Sequence, residues 1–525
     1  MNTLKPLPLG EQVFKDIITE NKLYVDKTEE IYKILATKNK FFFLARPRRF
    51  GKTLLINTFL EIFNGNKELF KGLWIYDKID FKKYPIIKLS MNNLIYSEGI
   101  DKFKDSLLYH ISGIYKEYKI ELKTNDYILA FKQLIEELSK KDKVVLLIDE
   151  YDKPITEYID NIEKANEMRS ILRNFYETIK ANDQYLHFCF ITGISKFSKV
   201  SIFSSLNNLT DISMDKNHSK ILGIEEKGLY SYFADRITLL AQEKNISENE
   251  LKLIIKKMYN GYSWDGINSL YNPYSLLLLF QNMEIKKYWF DTGTPTLVTK
   301  IIKDFDLDVK ELDNSLLTEE DFSFYEVEAM NPYALLFQTG YLTIKKIIEY
   351  DYQNREYLLG FPNIEVKEAL LKALLKNMQK DNVSKISGAR MIMFLRNKKL
   401  DEFFNILIAF FDRLPNQLHP EKSSPYKNKE FYYHNIFQII FSLLGVDIKS
   451  EISTSKGFID SVIELEDKIY IFEFKIGKSA EIALEQIKNK KYYNSYKASE
   501  KEIILVGVNF DINERNISKY DSTTL

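Results

Sequence analysis

Runs rich in apolar residues alternate, along the first 220 residues, with longer segments in which apolar residues recur every three or four positions. The runs occupy residues 41–45, 85–91, 144–148 and 188–191. An unbroken apolar run such as 144–148 is typical of a strand buried on both faces, as in a parallel sheet. The spacing between the runs predicts helices. We therefore predict a three-layer α/β domain over residues 1–220, with ligands at the carboxyl ends of its strands.

The pattern becomes mostly helical over residues 221–414. Asn272-Pro273 and Asn331-Pro332 each predict the first turn of a helix, because proline fits that position without losing a hydrogen bond. Residues 335–375 read as helix, strand, strand and helix. This order predicts a winged-helix-like module within a helical middle region.

The last part of the chain predicts a second α/β domain. Residues 415–428 are rich in Pro, Asn and Ser, which is typical of a linker. Over residues 429–525 the pattern predicts a helix, three strands, a helix over 479–497 and a further strand.

A basic turn follows the first predicted strand. Residues 46–53 read Arg-Pro-Arg-Arg-Phe-Gly-Lys-Thr, and an apolar helical pattern follows. Nucleotide phosphates are held by backbone N–H groups at a helix start, by a lysine charge, and by a hydroxyl that binds Mg²⁺. The full motif has glycine where Arg46 stands. Gly51, Lys52 and Thr53 therefore match its second half only.

Polar residues at the ends of two later strands strengthen the prediction of a nucleotide site. Asp149 and Glu150 follow a buried strand, where an aspartate can bind Mg²⁺ and a glutamate can orient or deprotonate the attacking water. Alternatively, they are the polar end of a strand. Thr192 ends the next strand and is either a sensor of the γ-phosphate or a satisfied strand-end hydroxyl. The sequence lacks the Asn-Lys-x-Asp tetrad that reads guanine, which favours ATP.

A second group of charged residues lies on a predicted hairpin near the C-terminus. If residues 465–468 form its loop, residue 464 pairs with 469 and Asp460 lies opposite Glu473. Period-two alternation places Lys475 on the same face as Glu473. Two carboxylates that bind Mg²⁺ and a lysine that stabilises charge suit phosphodiester hydrolysis. The alternative is an ordinary amphipathic hairpin with a charged solvent face.

The helix predicted after this hairpin carries a polar strip. Gln486, Lys490 and Tyr493 fall on one helical face, which can face phosphates or simply be solvated. Lysine plus arginine equal aspartate plus glutamate, 74 against 74, so a nucleic-acid partner requires a local basic groove. The lysines that we expect to form it are Lys475, Lys478, Lys488, Lys490 and Lys491.

The sequence shows no sign of export or membrane insertion. The N-terminus has no apolar core of a secretory signal, and no run approaches the roughly 18 apolar residues of a membrane span. The single cysteine, Cys189, excludes a disulfide framework. We expect a cytoplasmic protein without a membrane partner.

Several segments together resemble known families. Residues 44–53, 147–152, 192–198, 259–262, 271–274, 337–341 and 362–363 resemble the bacterial AAA-ATPase-like family. Asp460, Glu473-Phe474-Lys475 and residues 483–487 resemble the PD-(D/E)XK nuclease superfamily domain that is usually fused to it. The resemblance covers nearly the whole chain. It implies a P-loop NTPase domain, a C-terminal restriction-endonuclease-like domain, and ATP and Mg²⁺ as cofactors.

The residues of the motifs and the resemblance define two expected sites. The expected nucleotide-binding residues are Arg46, Pro47, Arg48, Arg49, Phe50, Gly51, Lys52, Thr53, Asp149 and Thr192. The expected catalytic residues are Glu150, Asp460, Glu473, Lys475 and Gln486, and the expected metal ligands are Thr53, Asp149, Asp460 and Glu473.

Two functional hypotheses follow from these sites. In the first, ATP binding is coupled to a Mg²⁺-dependent phosphodiesterase that acts on DNA. In the second, the chain is an ATP-operated switch whose C-terminal domain binds nucleic acid or protein without cutting.

Overall fold

The structure is a computed structural model of the 525-residue chain. It describes residues 4–37, 39–96, 98–158, 161–197, 208–289, 312–323, 331–351, 354–378, 388–412, 436–437, 439–441, 447–454, 457–511 and 513–525. The linker predicted at 415–428 lies outside these ranges.

The chain divides into two compact units. The first comprises Met1–Gly293 and Leu312–Lys367, and the second takes in Glu368–Leu525. The domain limits inferred from the sequence, at 220, 414 and 428, stay predictions.

A parallel sheet forms the centre of the first unit. Its strands are β1 (Phe41–Ala45), β2 (Ile86–Ser90), β3 (Val144–Asp149), β4 (Leu186–Gly193) and β5 (Thr210–Asp211). They lie in the order β2-β3-β4-β1-β5, and every pairing is parallel. All residues of β1 and β3 are buried, so both faces of the sheet are covered. The predicted α/β fold is confirmed, and the ends of β1, β4 and β3 lie side by side.

Helices precede and connect these strands. They are α1 (Phe14–Thr19), α2 (Thr28–Leu35), α3 (Lys52–Phe63), α4 (Ile100–Glu117), α5 (Tyr127–Ser139), α6 (Lys153–Thr156) and α7 (Ile162–Ala181). Asp126 caps α5 by accepting from Leu129 N, and Asn161 caps α7 by accepting from Lys164 N.

The rest of the first unit begins with helices and a small two-stranded sheet. It contains β6 (Ile224–Glu225), α8 (Glu226–Tyr232), α9 (Ala234–Lys244), α10 (Glu248–Tyr259), β7 (Leu270–Tyr271) and α11 (Pro273–Asn282). Asn272 caps α11 through its side chain and Pro273 occupies the first turn, as the sequence predicted.

A three-stranded antiparallel sheet with flanking helices follows, in which the predicted order of helix, strand, strand and helix is present. Its winged-helix-like character stays a prediction. Its elements are β8 (Ser315–Leu317), α12 (Glu319–Phe322), α13 (Pro332–Thr339), β9 (Thr343–Glu349), β10 (Arg355–Gly360) and α14 (Ile364–Met378), along which the first unit ends. The antiparallel sheet has the order β8-β10-β9. The short strand β8 was not predicted, because three residues carry too little alternation to be recognised.

The second unit is built on one mixed sheet. Its elements are α15 (Gly388–Arg396), α16 (Leu400–Phe411), β11 (Asp447–Thr454), β12 (Gly457–Glu464), β13 (Lys468–Ile476), α17 (Ala480–Lys490), β14 (Glu502–Asp511) and β15 (Asn516–Thr524). The strands lie in sequence order, and only the pair β13–β14 is parallel. The edge strand β15 was not predicted, because its polar sequence lacks an apolar face.

Helices pack on both faces of β13. Phe472 packs against Phe403 of α16, with ring centroids 6.2 Å apart. Ile471 and Ile469 share a core cluster with Leu484 and Ile487 of α17. Neighbouring residues of β13 therefore face opposite helices, which fixes the face on which Glu473 lies.

Helix α17 corrects one prediction. The sequence pattern extended this helix to residue 497, but it ends at Lys490. Lys491 adopts a left-handed conformation with φ of 54°, and the chain continues as a 3-10 turn over Tyr492–Ser499. Tyr493 packs against the core cluster and does not extend the polar strip of Gln486 and Lys490.

Candidate functional site

The phosphate loop, residues 46–51, joins the end of β1 to the start of α3. Gly51 is the N-cap of α3, with φ of 96°, a conformation that glycine adopts without strain. Among the described residues no side chain caps this helix end. Its first N–H groups therefore remain available to bind an anion.

Lys52 lies buried at this helix start. Its Nζ donates to the carbonyl oxygens of Arg46 and Pro47, each at 2.9 Å. Burial lowers the pKa of the Lys52 ammonium, and the nearby carboxylates of Asp149 and Asp152 oppose this effect. The Lys52 ammonium is thus held by carbonyl oxygens of the loop. A phosphate at the start of α3 would attract its charge.

Thr53 and Asp149 meet across the strand ends. The Thr53 hydroxyl donates to Asp149 Oδ2 at 2.6 Å. The other carboxylate oxygen, Asp149 Oδ1, is buried and has no hydrogen-bond partner among the described residues. A buried carboxylate oxygen without a partner is costly, and a hydroxyl beside it completes the oxygen ligands that Mg²⁺ prefers. These two residues fit a magnesium ion.

Glu150 sits on a strained turn directly after Asp149. Its φ is 54°, in the left-handed region that non-glycine residues rarely adopt. The side chain is half-buried, and burial raises the pKa of its carboxyl, with a further contribution from the Asp149 charge. Backbone strain and a raised pKa at a strand end are features of functional residues.

Asp152 holds the neighbouring turn after β4. Its carboxylate accepts from Ser195 N at 2.7 Å and from Ile194 N at 3.2 Å. A Cβ on Gly193 would meet Asp152 Oδ1 at 2.4 Å. The close approach of the two strand ends therefore requires glycine at position 193.

The Thr192 side chain does not project toward a ligand, as that of a γ-phosphate sensor would. It is fully buried, and its hydroxyl donates to the Leu44 carbonyl oxygen of β1 at 2.9 Å. This placement favours the alternative in which Thr192 is a satisfied strand-end hydroxyl.

The three arginines of the phosphate loop have different environments. Arg46 is 1% exposed, and its guanidinium lies over the Trp264 ring, 4.0 Å from the centroid. Arg48 and Arg49 are exposed, and Arg49 lies over the Tyr274 ring at 4.1 Å. The expected phosphate contact of the Arg46 side chain gains no support from this interior position, whereas Arg48 remains open to a ligand.

The other two loop residues pack against later parts of the unit. Phe50 contacts the rings of Tyr262 and Trp264, with centroids 4.8 and 5.3 Å away. Pro47 lies so close to Gly340 that a Cβ there would meet the Pro47 ring at 2.8 Å. These contacts hold the loop from outside the parallel sheet.

A mostly apolar cavity of about 100 Å³ adjoins the phosphate loop. Gly51 and Leu54, at the start of α3, form part of its wall. The other walls come from the segment before α2, from the segment before β6 and from α11. They include Val25, Leu222 and Leu277. The cavity's apolar lining is of the kind that suits a flat hydrophobic ligand group.

In the second unit, the hairpin of β12 and β13 has the predicted register. Glu464 pairs with Ile469 and Ser461 with Phe472, as predicted. The turn lies between these paired ends, and its last residue, Lys468, already belongs to β13. Asp460 lies next to Ser461, at the end of this ladder. Its Oδ2 accepts from Phe474 N at 2.7 Å. The Asp460 carboxylate thus contacts the backbone directly beside Glu473, close to the position that the sequence predicted.

Glu473 is the centre of this second site. It is 1% exposed, and its Oε1 accepts from Lys475 Nζ at 2.9 Å and from the Gln486 side chain of α17. Burial, followed by the Asp460 charge, raises the pKa of the Glu473 carboxyl to about 7. The structure thus brings Asp460, Glu473, Lys475 and Gln486 together.

Glu473 Oε2 fits a divalent cation. This oxygen is buried and has no hydrogen-bond partner in the described part of the chain. Within the same part, no cluster of three or more His, Cys, Asp or Glu residues is present. A cation here would therefore rely on the two carboxylates together with water or backbone oxygens, which suits Mg²⁺.

Two residues of this site were missed by sequence reasoning. Tyr492 is buried, and burial raises the pKa of its hydroxyl, an effect that the nearby Gln486 side chain opposes. It takes this position because α17 ends at Lys490, which periodicity did not reveal. Gly507 of β14 pairs with Glu473 of β13. A Cβ on Gly507 would meet the Ala480 carbonyl oxygen at 2.3 Å. This glycine, flanked by apolar strand residues, lets α17 approach Glu473.

Fold and sites together define a class of protein. The first unit is an α/β protein with a phosphate loop, and the second is an α/β domain with a buried carboxylate and lysine site. A family model described as "Predicted AAA-ATPase" matches residues 8–203, and a model of the PD-(D/E)XK nuclease superfamily matches residues 428–520. The chain is 35% identical over 524 residues to the "Uncharacterized protein in vnfD 5'region" of Azotobacter chroococcum mcd 1, with 98% of each chain covered.

The chain therefore belongs to the family of predicted AAA-ATPases that carry a PD-(D/E)XK nuclease superfamily domain. The recognition made from sequence motifs is confirmed. Among the helices that the structure describes, none is both long enough and apolar enough to cross a membrane.

Proposed function

We propose that this chain is an ATP-hydrolysing protein of the cytoplasm whose second unit is a Mg²⁺-dependent phosphodiesterase acting on DNA. One observation carries the proposal. Each site contains one buried carboxylate oxygen without a hydrogen-bond partner among the described residues, Asp149 Oδ1 in the first unit and Glu473 Oε2 in the second. Both oxygens lie where phosphate chemistry requires a cation.

In the first site, the chain's own groups take distinct roles. The N–H groups at the start of α3 and the Lys52 ammonium bind the phosphates, and Lys52 exchanges its loop carbonyls for phosphate oxygens. Thr53 and Asp149 would hold Mg²⁺, which would neutralise charge on the phosphates. Glu150 orients the attacking water and accepts its proton, for which a raised carboxyl pKa is favourable.

The apolar cavity beside Gly51 supports a purine nucleotide as the ligand. A base can enter between Val25, Leu222 and Leu277 while its phosphates reach the helix start. The absence from the sequence of a guanine-reading tetrad favours adenine over guanine.

In the second site, Asp460 and Glu473 would hold Mg²⁺, which would supply activation of the attacking water. Lys475, whose Nζ lies 2.9 Å from Glu473 Oε1, positions the water or stabilises charge on the scissile phosphate. Gln486 orients the Glu473 carboxylate. Mutation of such supporting groups typically costs 10–100-fold in metal affinity or activity.

Exposed lysines near this site support a polyanionic substrate. Lys478, Lys488, Lys490 and Lys491 are exposed, and none forms an ion pair with a described residue. Lysines that remain unpaired can neutralise a nucleic-acid backbone even though the chain has no net charge.

ATP binding and turnover test the first half of the proposal. We expect calorimetry to show Mg²⁺-dependent ATP binding by the wild type, and Lys52→Ala to weaken it by about 10- to 100-fold, since a charge-assisted contact is lost. Glu150→Gln is expected to bind ATP but to hydrolyse it at least about 100-fold more slowly.

The matched control is Lys67→Ala, an exposed lysine of the same unit that lies outside the site. Wild-type protein that binds no ATP would contradict this half of the proposal. Unimpaired hydrolysis by Glu150→Gln would remove Glu150 from the reaction.

A further inference from the structure

Arg46 anchors the beginning of the phosphate loop from two sides. Its backbone N–H donates to the Gly193 carbonyl oxygen of β4 at 3.1 Å. Its guanidinium Nη1 donates to the Ser213 carbonyl oxygen at 2.6 Å and to the Ala45 carbonyl oxygen at 2.9 Å. Ala45 N in turn donates to Ser213 Oγ at 2.9 Å. The chain is thus fixed between β4 and the segment that follows β5.

Trp264 connects this anchor to the other end of the loop. One contact of its ring is the Arg46 guanidinium, 4.0 Å from the centroid. Another is the Phe50 ring, whose centroid is 5.3 Å away. The first and fifth residues of the loop therefore rest on the same side chain.

The guanidinium is a costly group to bury in this place. Its Nε and Nη2 are buried without hydrogen-bond partners among the described residues, and no described carboxylate forms an ion pair with it. A buried charge that is incompletely compensated opposes folding. Its presence at the entrance of a binding loop therefore points to a role other than stability.

The position of Lys52 depends on this anchor. Lys52 Nζ donates to the carbonyl oxygens of Arg46 and Pro47, so the orientation of these two peptide groups determines where the ammonium lies. The guanidinium, which is tied to Ser213 and stacked on Trp264, fixes that orientation.

We infer that Arg46 is a positioning residue of the phosphate loop, which acts through its buried guanidinium on the loop backbone and on Lys52, and that it does not contact phosphate. This inference rests on the proposed ATP site.

Nucleotide binding by Arg46→Met tests the inference. Methionine retains an unbranched apolar stem but removes the charge and the hydrogen bonds. We expect the dissociation constants of ATP and ADP to rise by the same factor, about tenfold or more. The urea midpoint of the first unit is expected to remain unchanged or to rise, because the incompletely compensated buried charge is lost. All three tryptophans, Trp74, Trp264 and Trp289, lie in this unit, so intrinsic fluorescence reports its unfolding.

A double-mutant cycle with Trp264→Leu separates positioning from phosphate contact. Two residues that act through one contact give non-additive losses, so the double variant is expected to bind ATP about as weakly as either single variant. Arg46→Lys keeps the charge but cannot reproduce the stacked, multiply bonded guanidinium; we expect it to bind as weakly as Arg46→Met. Arg48→Ala, an exposed arginine of the same loop, is the control and is expected to be additive with Trp264→Leu.

Three results would overturn the inference: unchanged ATP binding by Arg46→Met, near-normal binding by Arg46→Lys, or additive losses with Trp264→Leu. Failure of the wild type to bind ATP would instead overturn the proposed function, and the inference with it.

Discussion

Single residues with restricted backbone or packing freedom hold the first site together. Glu150 adopts a left-handed conformation, and Asp152 binds two backbone amides of the turn after β4. Gly193 permits this contact because it has no Cβ. The sequence singled out Asp149 and Glu150 as candidate site residues, whereas Asp152 appeared only within the segment that resembles the family. The need for glycine at 193 was not readable from the sequence, because it arises from a neighbouring strand.

Gly193→Ala tests this packing. The added Cβ would overlap Asp152 Oδ1 and the Tyr151 ring, so we expect the free energy of unfolding of the first unit to fall by about 1–3 kcal/mol. Urea denaturation followed by tryptophan fluorescence measures the change.

The matched control is Gly113→Ala in the interior of α4. An added Cβ there meets no described atom within 4 Å, and alanine stabilises a helix by about 0.5–1 kcal/mol. Equal effects of the two substitutions would contradict the packing argument.

At the scale of elements, a buried carboxylate joins helix α14 to the segment after α11. Glu365 is 1% exposed, and it accepts from Trp289 N at 2.7 Å, from Tyr288 N and from Ser275 Oγ at 2.9 Å. Burial raises the pKa of the Glu365 carboxyl from 4.5 to about 7. Between these two pH values the folded state binds more protons than the unfolded state. The contribution of Glu365 to stability therefore falls as the pH rises from 4.5 to 7.

Glu365→Gln is expected to remove this pH dependence. The unfolding midpoint of the variant, relative to that of the wild type, should rise between pH 5 and pH 8, because glutamine keeps its hydrogen bonds without a charge. Tryptophan fluorescence during thermal unfolding of both proteins measures it.

Glu243→Gln, an exposed residue of α9, is the control and should leave the profile parallel to the wild type. A parallel profile for Glu365→Gln would show that the buried carboxyl does not titrate in this range.

Element prediction succeeded where one face is strongly apolar and failed where the signal is weak. The bounds of β1 and the register of the β12–β13 hairpin agree with the structure. The short strand β8 and the polar edge strand β15 carry no comparable pattern. The end of α17 depends on a left-handed residue, Lys491, which periodicity cannot reveal.

At the scale of the whole molecule, sequence motifs were sufficient for the class of protein. The family models cover residues 8–203 and 428–520, which contain the recognised segments 44–53, 147–152, 192–198 and 483–487. The segments recognised between residues 259 and 363 lie outside both models. The motifs were insufficient for the roles of particular side chains. The Arg46 side chain is buried, and the Thr192 hydroxyl donates to the Leu44 carbonyl oxygen. Tertiary packing, which a motif does not contain, decides where these side chains point.

The central claim is that the second unit cuts DNA through Glu473, while the first unit binds ATP through Lys52 and hydrolyses it. It implies that substitutions in the two sites have separable effects. Three full-length variants test this: Glu473→Ala, Lys52→Ala and, as a control, Glu485→Ala, an exposed glutamate of α17.

Conversion of supercoiled plasmid to its nicked form, with ATP present, is the most direct measurement. We expect nicking by the wild type and by Glu485→Ala in Mg²⁺ but not in EDTA. Glu473→Ala is expected to nick at least about 100-fold more slowly, since an acidic metal ligand is lost, while its ATP hydrolysis is unchanged. Nicking by Glu473→Ala at the wild-type rate, or no nicking by the wild type, would contradict the account.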